Sequence, residues 1–227
     1  MAYSRCMAEE NVLFDDLVGR RGSCRGYAPG PVSSEVLEQI VTTAQRAPSW
    51  CNTQPWQTEI VSGAALDRLR KALAEDDRWG SDFEFPGSYE GVYRDRRREV
   101  GWQLYEAVGV ERGDREGSAR QMLLNFDFFG APHAAFITVP ASVGVYALVD
   151  VGSYVQTFLL AIESHGLGAI AQAALAQKAE FLRDWFEWDD DRKMVCAISF
   201  GHPDRDHPAN SFRSRRVPVA EAVRFHD

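Results

Sequence analysis

Apolar residues recur at helical spacing along much of this 227-residue chain. From about residue 9 to 20, Val12, Leu13 and Leu17 share one face beside Phe14 and Val18, and the run stops near Arg20-Arg21-Gly22. This predicts a first helix that ends in an arginine-rich turn. After the breaker cluster Ala28-Pro29-Gly30-Pro31, Ser33 or Ser34 can cap a helix striped by Val36, Leu37, Ile40, Val41, Ala44 and Ala47 and ended by Pro48. Trp56 to Val61 alternates apolar and polar residues and suits a strand, while Leu66 to Leu73 has helical spacing. Residues 78–90 are rich in Gly, Pro and aromatics and are expected to loop; helical spacing returns over Tyr93 to Val108 and Asp114 to Phe129.

His133 to Val139, bounded by Pro132 and Pro140, has the form of a buried strand. Asp150 is expected to open a helix striped by Val151, Tyr154, Val155, Phe158, Leu159 and Ile162, with Gly166 as its stop. A further helix is expected over about 177–186, a second buried strand over Met194 to Phe200, and an extended tail thereafter. Long helical segments separating few strands predict an α+β or α/β fold with a central sheet covered by helices. The chain reads as one domain over 1–227, with 78–105 as a lid insertion and 202–227 as a C-terminal arm. Such an arm needs a surface to lie on, which a partner subunit would supply.

Composition narrows the class. With 45% apolar and 26% charged residues the chain can bury a sizeable core, and its formal charge of -8 disfavours a nucleic-acid partner. Cys6, Cys24, Cys51 and Cys196 have no metal-ligand spacing, so neither a metal site nor a disulfide framework is expected. The opening MAYSRCMAEE has no apolar core, and no apolar run approaches the roughly 20 residues that span a bilayer. A cytoplasmic protein without a membrane partner is expected.

Three features bear on chemistry. Gly166-Leu167-Gly168-Ala169-Ile170-Ala171 matches the G-x-G-x-x-A dinucleotide fingerprint, but it follows a helix instead of leaving a strand to open one, so a helix stop explains it better. Arg20, Arg21 and Arg25 near the start and Arg213, Arg215 and Arg216 near the end, with Ser23, Ser211 and Ser214 among them, could converge on a monophosphate or lie in solvent. Between them, Ala47 to Trp56 packs two prolines, two tryptophans and four polar side chains into ten residues. Trp50 could line a flat ligand whose edge Asn52 or Gln54 would bind, whereas Trp56 reads as core.

R-R-G-S-C-R-G-Y followed by A-P-S-W-C-N-T-Q-P-W resembles the opening blocks of nitroreductase-family proteins, in letters and in spacing. N-F-D-F-F-G-A-P-H, G-L-G-A-I-A-Q-A-A-L and G-H-P-D with R-S-R-R-V-P resemble later blocks in the same order. The resemblance implies an α+β domain with a mainly antiparallel sheet, an intertwined homodimer with C-terminal arms, and flavin mononucleotide (FMN) at the dimer interface. It implies that Arg21, Gly22, Ser23 and Arg25, with Arg213 and Arg216, hold the flavin phosphate and ribityl chain. Pro48, Ser49, Trp50 and Asn52 would reach the flavin from the second subunit, and Ala171, Gln172 and Ala173 would lie along its pyrimidine edge and N5. Arg94 and Arg97 are candidates for its O2 and N1. Gly22 interrupts the family's doubled arginine, and Ala171 stands where relatives often carry proline.

The implied activity is hydride transfer from NADH or NADPH to a small aromatic or conjugated acceptor, a nitro compound or quinone, with donor and acceptor using one site in turn. No side-chain nucleophile is expected, and His133 is expected to be structural. Trp79, Phe83, Phe85, Tyr89 and Tyr93 are expected to form an aromatic lid that sets acceptor choice. Dehalogenation, ene reduction, flavin chemistry and flavin binding without turnover stay open as alternatives.

Overall fold

The computed structural model of the chain describes residues 13–226. The expected start of the first helix over 9–12, and the opening decapeptide, lie outside the described residues. Helix α1 occupies residues 13–20, followed by α2 (Ser34–Ala44), β1 (Gln57–Ser62), α3 (Gly63–Glu75), α4 (Gly91–Ala107) and α5 (Arg115–Leu123). Then come β2 (His133–Pro140), α6 (Ala147–Ser164), β3 (Gly168–Gln172), α7 (Ala179–Phe186), β4 (Arg192–Gly201) and a short α8 (Val219–Ala222). The sheet runs β1-β2-β4-β3, and every pairing is antiparallel.

The sheet is covered on both faces, which is why β2 reads as an unbroken apolar run. Side chains alternate across a strand. Ala135, Ile137 and Val139 join Ile40, Val151, Phe158 and Ile162 in one core, while Ala134 and Phe136 join Leu66, Leu69, Leu175 and Leu182 in the other. Helices α2 and α6 therefore cover one face, and α3 and α7 the other. Trp56 falls in the first core as expected, 7% exposed and stacked on Tyr154 with centroids 4.9 Å apart.

Four elements differ from expectation. Strand β3 was not legible: GAIAQ is short and rich in small residues of low strand propensity, and it forms because β4 offers a free edge. Helix α6 begins at Ala147, so Asp150 lies inside its first turn and does not open it. Helix α5 stops at Leu123, because Phe128 and Phe129 take left-handed φ of 56° and 52° and fold Phe128 fully into the core. Helix α7 begins only at Ala179, after a separate 3-10 turn over Ala174–Gln177. Gly166 ends α6 as expected, with φ of 70° just past its cap.

His133 is a structural residue, as its place at the head of a strand implied. The Val32 amide donates to its Nε2 at 2.9 Å, so the proton sits on Nδ1, which meets Ser62 Oγ. Its ring is buried and stacks on Phe200. Burial, and after it the charge of His202, pushes its pKa below the ordinary histidine value. As pH falls through about 6.5, the unfolded chain takes up the proton first, so stability drops until the folded pKa is reached and is constant below it. His133 should contribute up to about 1.4 kcal/mol per pH unit to this slope. Denaturant unfolding across that window should give a shallower pH dependence for His133→Gln, and an equal slope would refute the assignment.

Candidate functional site

Residues 22–26 and 204–213, far apart in the sequence, meet at the edge of the sheet. The stretch after α1 runs beside β3: Ser23 bridges Ala169 in parallel, and the Cys24 amide donates to Ala169 O at 2.9 Å. From the tail, Asn210 clamps this stretch, its Oδ1 accepting from the Arg25 amide at 2.6 Å and its Nδ2 donating to Gly26 O at 2.8 Å. Arg213 then lies against Gly22. A Cβ on Gly22 would stand 2.8 Å from the Arg213 guanidinium carbon, so the glycine that interrupts the doubled arginine makes room for the arginine arriving from the far end.

This corner holds a cavity of about 550 Å³ walled by Arg20, Ser23, Glu163, Arg205, Asn210 and Arg213. Its lining sets three arginines, Arg20, Arg205 and Arg213, against two carboxylates, Glu163 and Asp204, with Arg21 and Arg25 close by in the chain. Arg21 Nε is buried with no hydrogen-bond partner. Arg25 is partly buried over the Phe129 ring, has no ion pair among the described residues, and burial pushes its pKa below the usual arginine value. Glu163 faces Arg20 at 3.7 Å; burial raises its carboxyl pKa, against the pull of Arg20, Arg213, Arg21 and Arg205. Glu163 and Asp204 leave Arg21, Arg25 and Arg213 without an ion pair among the described residues, and an incoming dianion with several oxygen acceptors would supply one. Arg216 lies beyond this corner and hydrogen-bonds only within its own segment, to Ser214 and the Arg215 carbonyl.

Ala171, Gln172 and Ala173 sit at the end of β3. The Gln172 side chain is buried and engaged: Nε2 donates to Asn125 O at 2.9 Å, and Oε1 accepts from Ser199 Oγ. Only its backbone, between the exposed Ala171 and Ala173, is left for a ligand.

Pro48, Ser49, Trp50 and Asn52 form a separate loop, and none of them lines the cavity. The loop is held against its own preference. Cys51, Asn52 and Gln54 have φ of 49°, 56° and 46°, left-handed values that cost non-glycine residues energy. Ser49 Oγ accepts from the Gln54 amide at 2.9 Å, and Asp150 Oδ1 accepts from the Trp50 amide at 3.0 Å. The Trp50 ring is left 76% exposed. Arg94 and Arg97 also stand clear of the cavity, on α4, which buries none of its residues in the single chain; Arg94 pairs with Asp95.

Against known proteins, residues 18–202 match the model of the Nitroreductase family. The chain belongs to the nitroreductase family. Nitroreductase NfnB of Mycolicibacterium smegmatis is 35% identical over 213 residues, covering 92% of this chain and 91% of the relative. A solved structure of FMN-dependent NfnB from Mycobacterium smegmatis in complex with NADPH matches with a TM-score of 0.89 at 34% identity, covering 94% of this chain and 97% of that one. A 4-nitrobenzoate reductase of Nocardioides sp. is 34% identical (93% and 89% covered), and a nitrobenzene nitroreductase of Ectopseudomonas oleovorans 29% identical (94% and 96% covered).

Among this nitroreductase-family chain's described residues there is no cluster of three or more metal-binding side chains, and no helix is long and apolar enough to cross a membrane. Two residues organise the site in roles that the sequence did not signal. Asn210 and Asp150 act through backbone amides 185 and 100 positions away, a relation no local pattern encodes. Asp150→Ala removes a charged acceptor from a strained loop and should cost about 1.5–3 kcal/mol in denaturant unfolding. A cost below about 0.5 kcal/mol would remove Asp150 from this role.

Proposed function

We propose that this chain is an FMN-dependent oxidoreductase that takes hydride from NADPH or NADH and reduces a nitro group on a small aromatic acceptor. The observation that carries the proposal is the anion deficit at the corner where the termini meet: Arg21 with a buried donor lacking a partner, Arg25 without a carboxylate, and Arg213 seated against Gly22. The FMN phosphate fits that deficit in charge and in number of acceptors. The solved relative NfnB, FMN-dependent and in complex with NADPH, supports the same cofactor and reductant.

When bound, the flavin supplies the redox chemistry, accepting hydride from the nicotinamide and passing it to the acceptor. The chain's own residues bind and orient. Arg21, Ser23, Arg25 and Arg213, with Arg216 a further candidate from the arm, hold the phosphate and ribityl chain, and the Gly22 backbone lets Arg213 close in. The backbone of Ala171, Gln172 and Ala173, held in place by the buried Gln172 side chain, would lie along the edge of the flavin ring. No side chain is required to act as nucleophile.

Pro48, Ser49, Trp50 and Asn52 belong to this site only if a second copy of the chain brings them. The working unit is therefore proposed as a homodimer in the cytoplasm, where nicotinamide reductants are available. Leu13, Phe14, Val145, Tyr146, Val149 and Phe225 are large apolar side chains left exposed in the single chain, more than a soluble monomer usually presents. Sedimentation should give a dimer at micromolar concentration, and a stable monomer that still binds FMN would remove the second-subunit contacts.

The purified protein should be yellow, bleach under argon with NADPH or NADH, and regain colour with a nitroarene. A protein that takes up no FMN, or takes it up and does not bleach, would overturn the proposal. Gly22→Val should displace Arg213 and weaken FMN binding by about tenfold or more, as expected for losing one charge-assisted contact.

A further inference from the structure

Residues 79–97 enclose a second cleft, of about 530 Å³, lined by Trp79, Phe85, Pro86, Tyr89, Arg97 and Gln177 with Gly80 and Ser81. Its walls are aromatic, and its lining includes one cation and no carboxylate, in a chain of net charge -8. We propose that this cleft receives the aromatic ring of the acceptor and that Arg97 pairs with a carboxylate carried by that ring, so that anionic aromatic acids are the preferred acceptor class. This rests on the flavin reading above and deepens it.

The cleft lies beside the proposed flavin edge. Gln177 closes the single 3-10 turn, Ala174–Gln177, that follows Ala171-Gln172-Ala173. The back wall shares the same support: Trp79 packs edge-on against Phe126 with centroids 5.4 Å apart, and the neighbouring Asn125 accepts from Gln172.

That wall is rigid. Gly80 bridges Lys178, and its amide donates to Gln177 O at 2.9 Å. The buried Lys178 ammonium donates to Asp76 O and Arg78 O, both at 2.8 Å, and lies 4.2 Å from the centre of the Trp79 ring. On the far side, Asp82 accepts from Arg183 at 2.6 Å and from the Met194 amide at 2.8 Å. Trp79 is thus a fixed flat surface, and a planar ring stacks on it at little conformational cost.

Arg97 stands across from it. Its guanidinium lies 5.6 Å from the centre of the Tyr89 ring, and it has no ion pair among the described residues, whereas Arg94 pairs with Asp95 and Arg96 with Glu221. A guanidinium seated on an aromatic ring and free of carboxylates suits the bidentate geometry of an aromatic acid. The names of the relatives span both classes, nitrobenzene and 4-nitrobenzoate, and the charge of this lining favours the acid. Arg97 is accordingly assigned to the acceptor and not to the flavin edge.

The test compares 4-nitrobenzoate with its neutral methyl ester on the FMN-loaded protein, for the wild type, Arg97→Gln and Arg94→Gln. The wild type should show higher kcat/KM for the acid. Arg97→Gln should lower the acid-to-ester ratio by about tenfold or more, chiefly through KM, and Arg94→Gln should preserve it. An unchanged ratio in Arg97→Gln, or an equal fall in Arg94→Gln, overturns the proposal. So does a loss of FMN affinity in Arg97→Gln, which would return the residue to the flavin. Calorimetric titration with benzoate, which cannot be reduced, keeps the two readings apart. Benzoate binding that depends on Arg97 supports the cleft even in a protein that fails to bleach, and binding indifferent to Arg97 sinks the cleft even in one that turns over.

Discussion

The site depends on one long-range clamp. Asn210 accepts from the Arg25 amide and donates to Gly26 O and, at 2.7 Å, to Asp204 O. One side chain thereby joins the start of the chain to its tail, and both to the sheet through the Ser23–Ala169 bridge. Without it, Arg213 has no reason to rest on Gly22, and the cations of the two termini are independent surface charges. Asn210 has the donor and acceptor capacity for three such bonds in one planar group, and this is what converts sequence separation into proximity.

Once the termini are joined, electrostatics follows from burial. An arginine in water is cheap to leave unpaired, whereas a buried guanidinium nitrogen without an acceptor costs free energy comparable to a lost hydrogen bond. Arg21 is in that condition, and Arg25 and Arg213 have no ion pair among the described residues, while Arg20 and Arg78 have carboxylates at hand. The chain as a whole is acidic, so the shortage is local. A corner where arginines outnumber the carboxylates beside them, in an acidic chain, is organised for an anion that comes from outside.

How much of this the sequence disclosed depended on the range of the interaction. Helix α2, strand β2 and the stop at Gly166 were legible because each is set by neighbours in the chain: a serine cap, an apolar run between prolines, a left-handed glycine. The arginine blocks and the Ala47 to Trp56 block stood out by composition, with solvated charge and core packing left as alternatives, whereas Ala171 to Ala173 was singled out through resemblance. Strand β3 escaped because its existence depends on β4, and the end of α5 because tertiary burial of Phe128 overrides helical spacing. Asp150 was seen, but as a helix opener; its partner is an amide a hundred residues earlier. The value of Gly22 was hidden for the same reason: the residue that needs its missing side chain arrives at position 213.

The two clefts differ in how firmly they are held, and the difference has a functional logic. The arginine corner is fixed to the sheet by backbone pairing, so whatever it grips is gripped by the most rigid part of the molecule. The aromatic cleft has one anchored wall, tied by Lys178, Asp76, Asp82 and Arg183, and one carried by α4, which buries no residue of its own in the single chain. A wall with little core behind it can change its side chains at little cost in stability, because surface substitutions away from packed or strained features usually stay within about 0.5 kcal/mol. A rigid corner for the cofactor and a loosely supported acceptor wall would let one fold serve relatives named for different nitroarenes. In this chain that wall presents Arg97.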